Sequence, residues 1–366
     1  MRALLLFLSI WSALLATGQS SLSEQYKALL TPPAEYLCAY ATSPIVIDGK
    51  SNDPAWKNAT WTADFQDISG AGFATPRYRT RAKMLWTTDT FYVYAEMEEP
   101  HLWSNLKERD TIVYHDNDFE VFIEPRNEAR PYFEFEVNQR GTLFDLCLEG
   151  AYRAPKRPFI QFQWNAPGLR YALHLDGTLN DASDVDKGWS IEMAIPAKDI
   201  SAEFHNFLQA FATLRVNFSR VQWHHEVLPN GHYRRKMVDG KVLPEDNWVW
   251  TPTGQVAMHM PERWGYVRLL PAGGADQGMH IEDKEKQEAS AFLWMLFYAQ
   301  EEQYGKHRKY HQRLADFRLT KADQALLPKG WAVRLETTSH TYEIIATSPS
   351  QRTYVIDESG CYFQRK

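Results

Sequence analysis

Two consecutive runs near the middle of the chain separate polar from apolar side chains with a period of two. In DNDFEVFIEP, Asp116, Asp118, Glu120 and Glu124 share one parity, and Phe119, Val121 and Ile123 the other. After a short loop, PYFEFEVN repeats the pattern, with Tyr132, Glu134, Glu136 and Asn138 against Phe133, Phe135 and Val137. Side chains alternate faces along a strand, so the pattern predicts a β-hairpin with one apolar face and one acidic, amide-bearing face. Such a face suits hydroxyl-rich ligands or cations.

Similar alternation predicts strands over residues 45–47, 82–86, 91–97, 143–148, 171–175, 189–195, 214–221, 248–250 and 265–269. Turn signals such as Asp48-Gly49, Asp176-Gly177 and Lys187-Gly188 separate them, and no long helical period intervenes. The expected fold class is therefore all-β, a two-sheet antiparallel sandwich over residues 36–270. Residues 19–35, with Pro32 and Pro33, read as a linker. Beyond Pro271-Ala272-Gly273-Gly274, Ala289, Phe292, Leu293, Leu296 and Phe297 recur at helical spacing, and three strand-like runs follow at 331–336, 342–346 and 353–356. They predict a small C-terminal α+β appendage over 275–366, a helix on a three-stranded meander, and a candidate surface for a protein partner.

Composition narrows the partners. Aromatic residues make up 14% of the 366, with 13 Trp and 18 Tyr, and the net charge is −6. That balance disfavours nucleic acid, whose phosphates require basic stripes, and favours stacking on sugars. The start, MRALLLFLSIWSALLATGQS, carries one Arg, an apolar run and small residues near Gly18. It predicts a signal peptide over 1–18 and a secreted or periplasmic protein that does not span the membrane. The three cysteines, Cys38, Cys147 and Cys361, are an odd number, so at least one thiol stays free and disulfides are not the framework.

The succession VIDG…DPAW, AKMLWTTDTFYVYAEMEEP, DNDFEVFIEP, YFEFEVN, GTLND…KGWSIEMAIP, RVNFSRVQW and WGYVRLL resembles a family 9 carbohydrate-binding module over roughly residues 40–270. The resemblance implies a sandwich of the broader sugar- and haem-binding, DOMON-like superfamily. It also implies a slot of facing aromatics with polar groups at its end, and bound calcium in some members. It places the slot's first aromatic on Tyr114 and its glutamate on Glu120. Where the family has a basic residue, this chain has Glu136. For the second aromatic, the last segment offers Trp250 and Trp264, while Met258 or His259 occupies the aligned position.

The residues themselves point to the same patch. Aromatic faces cover sugar C–H surfaces and carboxylates accept from hydroxyls, so Tyr114, Glu120, Glu136, Asn138, Trp250 and Trp264 are the candidate carbohydrate-binding residues. The competing reading is a solvated face whose acids pair with Arg81, Lys83, Arg215 or Arg220. Calcium is an alternative ligand, at Asp116, Asn117 and Asp118 or at Asp181, Asp184 and Asp186. A glycoside hydrolase using Glu120 and Glu136 is a second alternative, but an exposed face would not raise one acid's pKa. Haem held through Met258, His259 or Met260, with His174 or His224, is the weakest.

Overall fold

The computed structural model describes residues 20–152, 160–201, 207–274 and 284–365; the expected signal peptide lies outside them. The N-terminal segment read as a linker instead carries a short helix, α1 (Leu22–Gln25), and a 3-10 turn over Lys27–Leu30. Eleven strands follow: β1 (Glu35–Tyr40), β2 (Gln66–Asp67), β3 (Thr80–Trp86), β4 (Thr90–Glu98), β5 (Asp118–Glu124), β6 (Tyr132–Asn138), β7 (Leu143–Leu148), β8 (Ile160–Gln161), β9 (Arg170–Asp176), β10 (Gly188–Pro196) and β11 (Thr213–Gln222). Two small hairpins come next, β12 (His225–Val227) with β13 (Tyr233–Arg235) and β14 (Met237–Val238) with β15 (Lys241–Val242), before β16 (Asp246–Val249) and β17 (Gly265–Leu269).

Thirteen of these strands form one large curled sheet, in the order β8-β7-β6-β5-β11-β17-β1-β3-β4-β10-β9, with β16 on β11 and β2 on β16. The curl turns on β1. Its first half, Glu35 to Cys38, pairs with β17, and its last residues, Ala39 and Tyr40, pair with β3. Both pairings are parallel, against the expectation of antiparallel pairing throughout. The apolar parity of each half faces inward. Phe119, Val121, Phe133, Phe135, Val216 and Phe218 meet Met84, Trp86, Val93, Ile191 and Met193 in one core. Each such side chain, fully buried, contributes about 1.5–3 kcal/mol.

The run at 45–47 is not a strand. Val46 is exposed, and the segment serves instead to deliver a tight turn, where the Asp48 and Gly49 amides donate to the Glu192 carboxylate at 2.8 and 3.1 Å. Trp56 closes this corner, fully buried, its indole donating to the same carboxylate at 2.8 Å.

The C-terminal elements are α2 (Lys284–His307), a short α3 (Lys321–Gln324) and four strands, β18 (Ala332–Thr337), β19 (Tyr342–Thr347), β20 (Thr353–Asp357) and β21 (Tyr362–Arg365). The sheet has one strand more than the expected meander, because the chain turns again at Gly360 and pairs β21 with β20. The apolar stripe of α2 shares a second core with Tyr342, Ile344, Tyr354 and Ile356, and Leu22, Tyr26 and Leu29 of the N-terminal segment pack against it. The C-terminal elements touch the large sheet's loops through the Tyr298 hydroxyl on Glu262 and Lys286 Nζ on the Asn127 carbonyl at 2.6 Å.

Among the described residues no helix is long and apolar enough to cross a membrane. The three cysteines are free and buried. Burial pushes the Cys147 thiol up to about 12 and that of Cys361 to about 11. The sequence has the glycosylation patterns Asn58-Ala59-Thr60 and Asn217-Phe218-Ser219; Asn217 is fully buried, and its side chain exchanges hydrogen bonds with Thr251.

Candidate functional site

The acidic parity of the β5–β6 hairpin forms a sheet face, but that face is not open to solvent. Glu120 and Glu136 are direct cross-strand partners, and Ser219 on β11 is opposite Glu120 on its other side. Ser219, Glu120 and Glu136 therefore make one row across three strands. Asp118 and Glu134 extend it diagonally. All five are at most 5% exposed. Two features cover the face. At one end, Ile68, Val249, Met258 and Trp264 pack over Phe122, Tyr132, Leu146 and Leu148. At the other, the 3-10 turn Val113–His115 lays the Tyr114 amide on Glu136 Oε2 at 3.2 Å, and the Trp223 indole donates to the Tyr114 carbonyl at 2.8 Å.

Among the described residues no cation balances this row: no Lys or Arg forms an ion pair with Asp118, Glu120, Glu134 or Glu136. The four expected basic partners are engaged elsewhere. Arg81 pairs with Glu96, Lys83 lies over Trp61, Arg215 donates to the Pro261 and Glu262 carbonyls, and Arg220 points into the core to Glu99 at 3.2 Å. Arg235 stacks on Trp223 nearby. Burial raises all four carboxyls above their ordinary range, and their mutual charges push Asp118, Glu134 and Glu136 further in the same direction. At Glu120 burial dominates, the neighbouring Ser219 hydroxyl opposes it, and Glu245 adds to it. The expectation of an exposed face with ordinary acids is thus corrected: distant segments fold over it.

The candidate residues divide. Tyr114 keeps its ring accessible, 38% exposed, beside Glu136. Glu120 and Glu136 share the row beneath it. Asn138 does not offer a free amide. Its Nδ2 donates to Leu106 O at 3.1 Å and Asp116 Oδ2 at 3.2 Å, while Oδ1 accepts from Arg140 and Thr142 at 3.0 and 2.9 Å. An amide has two donors and two lone pairs, so this side chain is saturated as a loop organiser. Trp250 and Trp264 have no ring face for a ligand. Trp250 is 3% exposed within the main core, and Trp264 is fully buried against Phe122 and Tyr132, with its indole on Met258 O at 2.8 Å.

The structure adds an aromatic that sequence reasoning passed over. Tyr152, 44% exposed, stacks on His259 with ring centroids 4.3 Å apart, and His259 Nδ1 is 3.0 Å from the Tyr132 hydroxyl. Along β6 the polar face thus runs Tyr132, Glu134, Glu136, with His259 and Tyr152 at its first residue and Tyr114 at its last. Four residues of strand separate those ends by roughly 13 Å at the usual rise. The signal for this pair was the aligned position of His259, which lacks the expected indole but recruits a tyrosine from a distant loop.

Of the other cation candidates, Asp116, Asn117, Asp181 and Asp186 are occupied by protein donors, whereas Asp184 Oδ1 is buried without one. Asp116 Oδ2 accepts from the Ser104 hydroxyl and from the Asn105 and Leu106 amides. Asn117 bonds the Trp223 amide and Glu99. Asp186 holds the Leu102 and Thr178 amides, each at 2.7 Å. Met258 fills the core over Phe122, and His259 is held between two tyrosines, an arrangement of packing rather than of axial ligands.

Residues 47–218 match the model of the carbohydrate family 9 binding domain-like family. Over these residues, just under half of the chain, the protein is similar to that family. Among solved structures, a family 9 carbohydrate-binding module of Caldicellulosiruptor kristjanssonii in complex with cellotriose is 16% identical, covers 68% of this chain and all of its own, and superposes with a TM-score of 0.40. The module from the same organism in complex with glucose gives 15%, 65% of this chain, 98% of its own and 0.39. A Bacteroides uniformis protein gives 14%, 65%, 100% and 0.46. No curated protein sequence matches.

Proposed function

We propose that this protein binds carbohydrate without cleaving it, in polysaccharide recognition or breakdown outside the cytoplasm. The observation that carries the reading is the family match over residues 47–218, which contains the row of Glu120 and Glu136 beneath the exposed ring of Tyr114. Tyr114 is assigned to a sugar face, Glu120 and Glu136 to hydroxyls, and Tyr152 on His259 replaces Trp250 and Trp264 as the second aromatic. The two-sheet sandwich of residues 36–270 is read as the binding unit. Residues 275–366, whose described part has its own core, are read as a docked appendage available to a protein partner.

Hydrolysis is the second reading, and the family match favours binding over it. Glycoside hydrolysis needs one protonated and one ionised carboxyl, held so by environments that push their pKa values apart. Here burial raises both Glu120, to about 7, and Glu136, well above its ordinary range, so a reducing-end assay decides between binding and hydrolysis. Affinity electrophoresis against plant, algal and host glycans, run beside a reducing-end assay, tests both halves. Retardation without release of reducing ends is expected. Release that Glu136→Gln abolishes would replace binding with hydrolysis.

A further inference from the structure

We infer that Asp118, Glu120 and Glu136 form a site for a calcium-class divalent cation, completed by the Ser219 hydroxyl. The three carboxylates each offer an oxygen, and these oxygens lie within 4.8 Å of one another. Two oxygens bound to one calcium at 2.3–2.6 Å are separated by at most about 5 Å, so the spacing already fits a shared ion. The donor set is entirely oxygen, which selects calcium, magnesium or manganese over zinc or copper.

Two buried oxygens of this row lack hydrogen-bond partners. Asp118 Oδ2 is buried without a hydrogen-bond partner, while its Oδ1 accepts from the Val221 amide at 3.4 Å. Ser219, fully buried and in register with Glu120, lies beside that carboxylate, yet its Oγ makes no hydrogen bond of good geometry. An orphaned buried oxygen costs about 1–3 kcal/mol, so two of them beside three uncompensated carboxylates require an explanation. A metal ion supplies it for all of them together. Glu136 makes the site particular to this chain, since a basic residue at that position would neutralise the row from within. Cation binding to such acids displaces protons and strengthens as pH rises.

The test is calorimetric titration of CaCl2 into EDTA-stripped full-length protein at pH 6 and pH 8, without glycan, alongside thermal melts in calcium or EDTA. One saturable site per chain is expected, tighter at pH 8, with a higher melting temperature in calcium. Glu120→Gln should remove the saturable heat while melting at or above wild type in EDTA, which shows that it folds. Ser219→Ala, which leaves the charges intact, should weaken binding by about tenfold or more, the range of supporting contacts at metal sites. Identical melts in calcium and EDTA without saturable heat would overturn the inference, and the row would then hold protons only. So would calcium binding that survives Glu120→Gln but disappears in Asp181→Asn. The site shares Glu120 and Glu136 with the proposed sugar contacts, and because no sugar enters this assay the carbohydrate reading stands or falls on the glycan titrations alone.

Discussion

Replacing Glu120 with glutamine should make the metal-free protein more stable at alkaline pH. Its carboxyl is raised from 4.5 to about 7 by burial and charge, a change worth about 3 kcal/mol at about 1.4 kcal/mol per unit. A folded-state pKa above the unfolded value means that folding takes up a proton. The stability it confers is complete below the unfolded pKa and is lost as pH rises through about 7. The charge of Glu120 also raises Asp118, Glu134 and Glu136, so a neutral amide relieves its neighbours as well. Among the described residues no backbone amide donates to this carboxylate, so glutamine leaves none of them unpaired. Thermal melts in EDTA from pH 5 to 8.5 should show wild type losing stability with pH and Glu120→Gln losing less. At pH 8.5 the gap should reach about 2 kcal/mol, several degrees for a chain of this size. Parallel curves, or a variant that melts lower at pH 8.5, would refute the description of the row as buried and uncompensated.

Asn138→Ala should cost about 2–4 kcal/mol in urea unfolding, because it strips partners from Leu106, Asp116, Arg140 and Thr142 together; a loss below 1 kcal/mol would show that the loop closes without it. Gly49→Ala should destabilise by about 2 kcal/mol or more, since Gly49 has φ +84° and an added Cβ would lie 2.5 Å from the Leu173 carbonyl carbon; an unchanged melting temperature counts against that turn geometry. Trp264→Phe should lower stability by about 1–3 kcal/mol through lost packing and the Met258 hydrogen bond, yet leave glycan affinity intact, whereas selective loss of affinity would return Trp264 to the site.

The alternation along β3 to β6, β10 and β11 was legible because inward residues meet one core, and a period of two needs nothing but the strand. The edges of that reading failed for physical reasons. β1 (EYLCAY) follows two prolines and does not alternate cleanly, and only its position between β17 and β3 makes it central to the curl. Val46 and its neighbours read as strand by composition but have no partner to pair with. The burial of Glu120 and Glu136 was not legible, since the cover comes from residues 113–115, 223 and 249–264, far along the chain. For the same reason Trp250 and Trp264 looked like ligand platforms. An aromatic in a loop is open or buried according to what folds over it, and local sequence does not carry that information.

The central claim concerns Tyr114. Isothermal titration of wild type and Tyr114→Ala with cellotriose, glucose and the best glycan from the affinity screen reads it directly. Because the ring is 38% exposed, its removal should leave the melting temperature within a degree or so while lowering affinity at least about tenfold, about 1.4 kcal/mol. Full affinity in Tyr114→Ala, or no binding of any glycan by wild type, would contradict the account.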